Sequence, residues 1–345
     1  MKGKRTVFSI ILIMTALLLT ACRTFAVPVK EPCHLQFLAM DTVMSFTVYG
    51  EDAQSAAALG RQRVEQLEAL LSVTAEGSDI YRANRAMGAP VQLAEDTRQL
   101  LGSALSLCAS TDGALDVTVY PVVRSWGFTT GEYRVPEAEE LDALLARVDY
   151  TRITLEEDTL TVPEGMELDL GAVAKGYTGD QLMVLFAQEG VASAIVELGG
   201  NVQTLGSKPD GSPWRVAVQS PDGSGYAGIL EITDKAVVTS GGYQRYFEQD
   251  GETYWHIMDP ATGRPARSGL ASVTIVADRG VKADGLSTAL FVIGKERALE
   301  YWRANPDFDA ILIEENGTVT ITGGLEDSFS LYGNWTGKPL EIAQR

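Results

Sequence analysis

Histidine and cysteine are scarce in this chain of 345 residues, with two of the former and three of the latter. So few of either leave no material for a Cys/His zinc cluster or a disulfide framework. Basic residues are also in deficit, 28 Lys and Arg against 46 Asp and Glu, for a formal net charge of −18. That balance argues against duplex DNA or RNA as a partner and against electrostatic adhesion to anionic lipid. No GxGxxG follows a strand, and no P-loop, HExxH or Ser-His-Asp pattern occurs. Rossmann, P-loop nucleotidase and acyl-transfer readings therefore lack their parts.

What is present begins with a separate N-terminal unit. Lys2, Lys4 and Arg5 precede an apolar run over residues 7–19, which leads through Thr20-Ala21 into Cys22. The run is too short to span a bilayer comfortably, and the small-residue site ends on a cysteine. Residues 1–21 thus read as a bacterial lipoprotein signal peptide, with Cys22 the lipidated (palmitate-bearing) N-terminus of the mature chain. An ordinary signal peptide or N-terminal anchor would not need that cysteine. Losing the leader takes the net charge from −18 to −21. Residues 22–35 read as a spacer containing His34, so the expected location is the extracytoplasmic face of a bacterial inner membrane, held by acyl chains. Cys33 and Cys108 are expected to be two structural thiols.

Residues 36–345 carry the folded part. At 45 % apolar residues, with 34 Gly and 13 Pro, the composition is that of a well-packed, loop-rich protein. Residues 37–49 alternate enough for one first strand, and residues 78–84 read as a polar turn. Val64, Leu67 and Leu71 recur at helical spacing, as do Leu100, Ala104 and Leu107. Strands and helices then intersperse without steady alternation, which predicts an α+β fold, built as a single domain or as two intimately packed lobes.

The densest chemistry lies in residues 166–180. An apolar, partly alternating run reads as a strand ending at Asp169, Gly171 allows a sharp turn, and residues 173–186 read as a buried helix. Asp169 then sits at a helix N-terminus, where free backbone N–H groups favour anions, and Lys175 adds a positive charge one turn in. That is a place for a phosphate, although Asp169 alone serves equally as a helix cap. Asp284, Ser287 and Thr288 share one face of a predicted helix at i, i+3 and i+4, a set of hard oxygens suited to Mg²⁺. Asp284 there also reads as a cap. His256 is the one imidazole of the folded part, placed at a proline-anchored bend, and reads as a general base or as a hydrogen-bonded core histidine. Thr239-Ser240-Gly241-Gly242 and Gly199-Gly200-Asn201 are small-residue loops able to bring backbone N–H groups to a phosphate, or simply tight turns.

Taken together these pieces resemble the ApbE family of FAD:protein FMN transferases. The carriers are Met40-Asp41-Thr42, Gly113-Ala114-Leu115-Asp116-Val117-Thr118, Asp169-Leu170-Gly171-Ala172-Val173-Ala174-Lys175-Gly176-Tyr177, Gly199-Gly200-Asn201, Thr239-Ser240-Gly241, His256-Ile257-Met258-Asp259-Pro260 with Thr262-Gly263, and Ala283-Asp284 through Thr288-Ala289-Leu290. Their order and spacing run over nearly the whole mature chain. The resemblance implies a T-fold-related α+β domain that uses Mg²⁺ and takes FAD as substrate. It attaches FMN through its phosphate to a threonine of an acceptor protein and releases AMP. It further implies acceptors among flavoprotein subunits of membrane redox complexes. By motif, Asp284, Thr288 and the backbone oxygen of Ala172 hold the metal, assisted by Ser287. Met40, Ser78, Ala114, Leu115, Asp116, Asp169, Lys175 and the backbone of Ile257-Met258 line the FAD site, and His256 is the base. Two positions depart from the family pattern, Gly242 where Asp is frequent and Gly171 where Ser is common. The competing expectations are an Mg²⁺-dependent FAD pyrophosphatase giving FMN and AMP, and a non-catalytic FAD-binding lipoprotein.

Overall fold

Nine strands hydrogen-bond side by side in the order in which the chain makes them. They are β1 (Cys33–Ala39), β2 (Thr42–Tyr49), β3 (Ser193–Leu198), β4 (Asn201–Leu205), β5 (Ala236–Gly241), β6 (Leu270–Ala277), β7 (Phe308–Glu314), β8 (Val319–Thr322) and β9 (Leu340–Ala343). All neighbours run antiparallel except β8 and β9, which are parallel. The computed structural model describes residues 31–345, so the expected leader, Cys22 and most of the spacer lie outside the described residues. Residues 32–345 form one unit rather than two lobes.

Eight helices punctuate the described strands: α1 (Ala53–Leu71), α2 (Asp79–Arg85), α3 (Glu95–Ser110), α4 (Tyr120–Ser125), α5 (Ala138–Leu145), α6 (Gly171–Gln188), α7 (Gly280–Ile293) and α8 (Lys295–Ala304). Their faces follow their sequences. In α1 the buried Ala53, Ala56, Ala57, Gly60, Val64, Leu67 and Leu71 form one stripe. In α7 burial runs all round, from Val281 and Ala283 to Leu290 and Phe291, as befits a central helix.

Both faces of the large sheet are covered. Ala236 and Val238 of β5, Val273 and Ile275 of β6, and Ala310 and Leu312 of β7 pack with α7 and α8 residues such as Leu286 and Trp302. Their neighbours Val237, Val276, Ile311 and Ile313 point the other way, onto a three-stranded sheet made by Trp214–Gln219, Tyr226–Ile232 and Phe329–Leu331. Such strands read as continuous apolar runs because neither face meets water.

Several expectations are corrected. The single strand over residues 37–49 is two, because Met40 (φ 49°) and Asp41 (φ 59°) make a two-residue turn with Ala39 opposite Thr42. Two successive positive φ values match the right-handed strand twist and close a hairpin. The fold starts at Cys33, not near Gln36, and His34 is a strand residue whose Nδ1 lies 3.0 Å from Thr47 Oγ1. The turn over residues 78–84 is α2, nucleated by a Ser78 cap. Residues 166–170 pair with no strand. Asp169 N donates to Val117 O (2.9 Å), while Asn84 brackets Leu168, its Oδ1 accepting from Leu168 N (2.7 Å) and its Nδ2 donating to Leu168 O (2.9 Å). Cys33 and Cys108 are free thiols, Cys108 fully buried.

Candidate functional site

The site grows from the crossing of α6 and α7. A Cβ on Gly176 would lie 2.1 Å from Gly280 O, and one on Gly280 would lie 2.3 Å from Gly176 O. Only glycine on both helices lets the two backbones meet. Asp284, one turn beyond Gly280, is thereby pressed against α6, and its Oδ2 accepts from Gly176 N at 2.8 Å. Within a helix Gly176 N–H would ordinarily serve the Ala172 carbonyl. The Asp284 carboxylate therefore competes with that carbonyl for the same donor, and the Ala172 oxygen stands in the same neighbourhood.

Asp284 is not the cap the sequence also allowed, because α7 begins four residues earlier. That end is capped from α6: Asp180 Oδ1 accepts from Gly280 N (2.6 Å) and Gln203 Nε2 (3.0 Å), and Oδ2 from Val281 N (3.2 Å) and Arg279 Nε (3.0 Å). Sequence reasoning missed Asp180, although it closes the chemistry-rich stretch over residues 166–180, four residues after Gly176.

Asp284 is 4 % exposed, and no Lys, Arg or His forms an ion pair with it among the described residues. Burial pushes its pKa up, opposed by the field of Lys175, the Asn201 amide and the Gly176 N–H. Hydroxyls complete the face. Ser240 Oγ, on β5, is 2.8 Å from Ser287 Oγ and 3.3 Å from Thr288 Oγ1, and Ser287 Oγ donates to Asp284 O (2.8 Å). The expected loop at Thr239-Ser240-Gly241 is thus the end of a strand, which aims its serine at α7. Among the described residues no three His, Cys, Asp or Glu converge. A cation here would rely on one carboxylate plus carbonyl and hydroxyl oxygens, a set that suits a hard divalent ion.

Two hairpins close over the end of α6. The Gly199-Gly200 turn (φ 59° and 93°) presses on Thr42, to which a Gly199 Cβ would come within 2.5 Å. Gly199 N donates to Val43 O (3.2 Å), Met40 N to Glu68 Oε1 (2.6 Å), and Thr178 Oγ1 lies 3.7 Å from Met40 Sδ. Met40 and Lys175 are both half-buried at this end.

Asp169 is half-buried, its Oδ1 accepting from Gly171 N (2.8 Å). Burial raises its pKa against the backbone bond and the charges of Lys175 and Arg245. Those charges also face His256, whose Nδ1 lies 3.2 Å from Arg245 O. A carbonyl only accepts, so Nδ1 carries the proton and Nε2 offers the lone pair. Burial beside Phe128 (ring centroids 6.2 Å apart), then the Arg245 and Lys175 charges, push its pKa down to about 4. The imidazole is neutral at pH 7.

The remaining site residues fall into two groups. Ala114 is half-exposed, whereas Leu115 is buried and Asp116 is saturated by its own chain, with Oδ1 accepting from Thr118 N (2.8 Å) and Thr118 Oγ1 (2.6 Å) and Oδ2 from Tyr150 N (3.1 Å). Burial raises the Asp116 pKa. Ser78 is fully buried, caps α2 by accepting from Tyr81 N (2.9 Å) and donates to Ser72 O. Ile257 and Met258 are buried, and Ile257 O accepts from Ala266 N (2.9 Å). Sequence reasoning also passed over Asn84, Arg245 and Gln203, polar residues outside any motif.

Volume does not mark this site. A cavity of about 680 Å³, lined by Tyr243, Tyr246, Trp255, Arg267 and Phe291 among others, touches none of the residues above. It lies over Trp255, whose ring also explains Gly242: a Cβ there would come within 2.9 Å of it. At Gly171 a Cβ would lie 3.2 Å from Asp169 Oδ1, so a larger residue crowds that carboxylate.

The family model described as the ApbE family matches residues 40–312. Among curated proteins the chain is similar to the FAD:protein FMN transferase of Salmonella typhimurium, 36 % identical over 286 residues (78 % of this chain, 81 % of that one). That of Escherichia coli K12 is 33 % identical over 313 residues (85 % and 88 %). Among solved structures, the ApbE protein of Thermotoga maritima superposes with a TM-score of 0.79 at 32 % identity (84 % of this chain, 96 % of that one). The flavin transferase ApbE of Vibrio cholerae superposes with 0.76 at 31 % identity (89 % and 98 %).

Proposed function

Because the chain belongs to the ApbE family, we propose that it is a flavin transferase moving FMN from FAD to a threonine of an acceptor flavoprotein, with Mg²⁺ and release of AMP. The observation that carries this reading is the buried Asp284 carboxylate, without an ion-pair partner among the described residues, on the same helix face as the Ser287 and Thr288 hydroxyls that Ser240 meets. A carboxylate so placed calls for a cation. Asp284, Thr288 and the Ala172 carbonyl would hold it, with Ser287 in support. Held there, such an ion would supply positive charge to offset that of the pyrophosphate and ease the departure of AMP.

The chain's own residues do the rest. Lys175 sets a positive charge where the diphosphate lies. Met40, Ala114 and the backbone about Asp169 and Ile257-Met258 bound the flavin nucleotide, while the buried Leu115, Asp116 and Ser78 hold those segments in shape. His256 Nε2 takes the proton of the threonine hydroxyl as the threonine oxygen bonds to the FMN phosphorus. The phosphorus–oxygen bond to AMP breaks, and the proton passes on to solvent. With a pKa of about 4 His256 is a weak base, and a bound anion would strengthen it by offsetting Arg245 and Lys175. Lipidation of Cys22 would place the enzyme on the extracytoplasmic face of the inner membrane, within reach of flavoprotein subunits of membrane redox complexes.

Mass spectrometry tests this directly, on a threonine-bearing acceptor domain incubated with a chain starting at Glu31, FAD and Mg²⁺. The expected product is an FMN-sized increment on threonine that is lost with EDTA. Free FMN and AMP without an adduct would sink the transferase reading in favour of FAD hydrolysis, and FAD binding without turnover would leave a flavin carrier.

A further inference from the structure

Asn201 begins β4 directly after the Gly199-Gly200 turn and is 7 % exposed. Its Nδ2 makes no full hydrogen bond. An amide nitrogen buried in that state costs about 1–3 kcal/mol, so it calls for a reason. Asn201 lines, with Lys175, Gly176 and Gly280, a space of about 160 Å³ at the α6/α7 crossing that is too narrow for a water molecule. Water does not complete the amide. Gly176, which lines the same space, donates its N–H to Asp284 Oδ2, and Gly280 stands one turn before Asp284, so the amide faces the crossing at which that carboxylate is held.

We propose that Asn201 is a positioning residue for Asp284: Gly176 N–H holds Oδ2, and the Asn201 amide is the second donor that orients the carboxylate. The residue type matters. A lysine or arginine there would neutralise the carboxylate and compete with an incoming cation, whereas an amide orients it and leaves its full charge available. The Gly-Gly turn supplies the reach, since it starts β4 against Thr42 and directs the first strand residue inward. Donors behind a ligating carboxylate commonly govern metal affinity by 10–100-fold.

The inference rests on the metal reading above, and its test separates the two. Mn²⁺, a paramagnetic stand-in, is titrated into the full chain in detergent without FAD and followed by electron paramagnetic resonance. FAD affinity and thermal midpoint are measured alongside. In Asn201→Leu, which keeps the bulk and loses the donor, the Mn²⁺ dissociation constant is expected to rise about tenfold or more while thermal midpoint and FAD affinity stay near wild type. Excess metal should restore transfer. Undiminished Mn²⁺ binding in this variant overturns the inference alone. Absence of Mn²⁺ binding by the wild-type chain overturns it together with the metal reading. Should the leucine variant fail to fold, Asn201→Ser, whose hydroxyl is too short to reach, carries the same expectation and is overturned by the same result.

Discussion

Asp180 and Asp284 lie on either side of one helix crossing, are almost equally buried at 5 % and 4 % exposed, and are used in opposite ways. Asp180 receives four donors, two of them the first backbone N–H groups of α7, and an arginine stands on it. Asp284 receives one donor of good geometry, from Gly176, and no ion-pair partner among the described residues. A buried charge with its donors complete holds a structure together, and a buried charge left incomplete is poised for something that is not protein. Burial alone does not distinguish a structural carboxylate from a functional one; the count of partners does.

That contrast is broken most sharply at Asp284. Replacing it with Ala should lower FMN transfer at least about 10³-fold, the several kcal/mol that a bound metal contributes to a phosphoryl-transfer transition state. The same change should leave stability unchanged or raise it by about 1 kcal/mol, because an under-partnered buried charge is removed. Steady-state rates beside thermal melts decide it, and full activity in the variant would refute the metal assignment.

His256→Ala is expected to slow transfer about 10²-fold, at the low end for a general base because a group titrating at about 4 accepts protons weakly. It should also alter the pH dependence of stability. Between pH 6.5 and about 4 the unfolded chain binds a proton at His256 that the folded chain does not. Wild type therefore keeps this contribution above pH 6.5 and loses it as pH falls to about 4. Melting curves of the variant should lack that component of the acid loss.

Asp180→Ala should do the reverse of Asp284→Ala. Stability should fall by about 2–3 kcal/mol as backbone N–H groups lose their acceptor. Transfer by the folded fraction should stay within reach of wild type, and a variant as stable as the parent would show the cap to be dispensable. The smallest change expected is in Gly171→Ser, about 0.5 kcal/mol in stability, because the Asp169 carboxylate need shift by only a few tenths of an ångström. A large loss of FAD affinity there would instead mean that Asp169 cannot shift.

Part of the candidate site was legible in the sequence. Lys175, Asp284, Ser287 and Thr288 announced themselves by residue type and spacing, and the helices carrying them appear at Gly171–Gln188 and Gly280–Ile293. What was misread shares one cause. Residues 166–170 alternate like a strand, yet their partners are Asn84 and Val117 rather than a neighbouring ladder. Met40-Asp41 broke a strand through backbone angles that no periodicity records. Ser78, read as the start of a polar turn, is instead the fully buried cap of α2.

Residue order and near neighbours alone set the helical registers, the continuous apolar runs of the central strands, and the family. Which carboxylate is saturated and which is open depends on the assembled fold. Asp180 and Asp284 differ through partners more than twenty residues away in the chain, among them Gln203, Gly280 and Gly176. Those partners meet because two glycines allow two helices to touch, and no local pattern encodes a meeting of that kind.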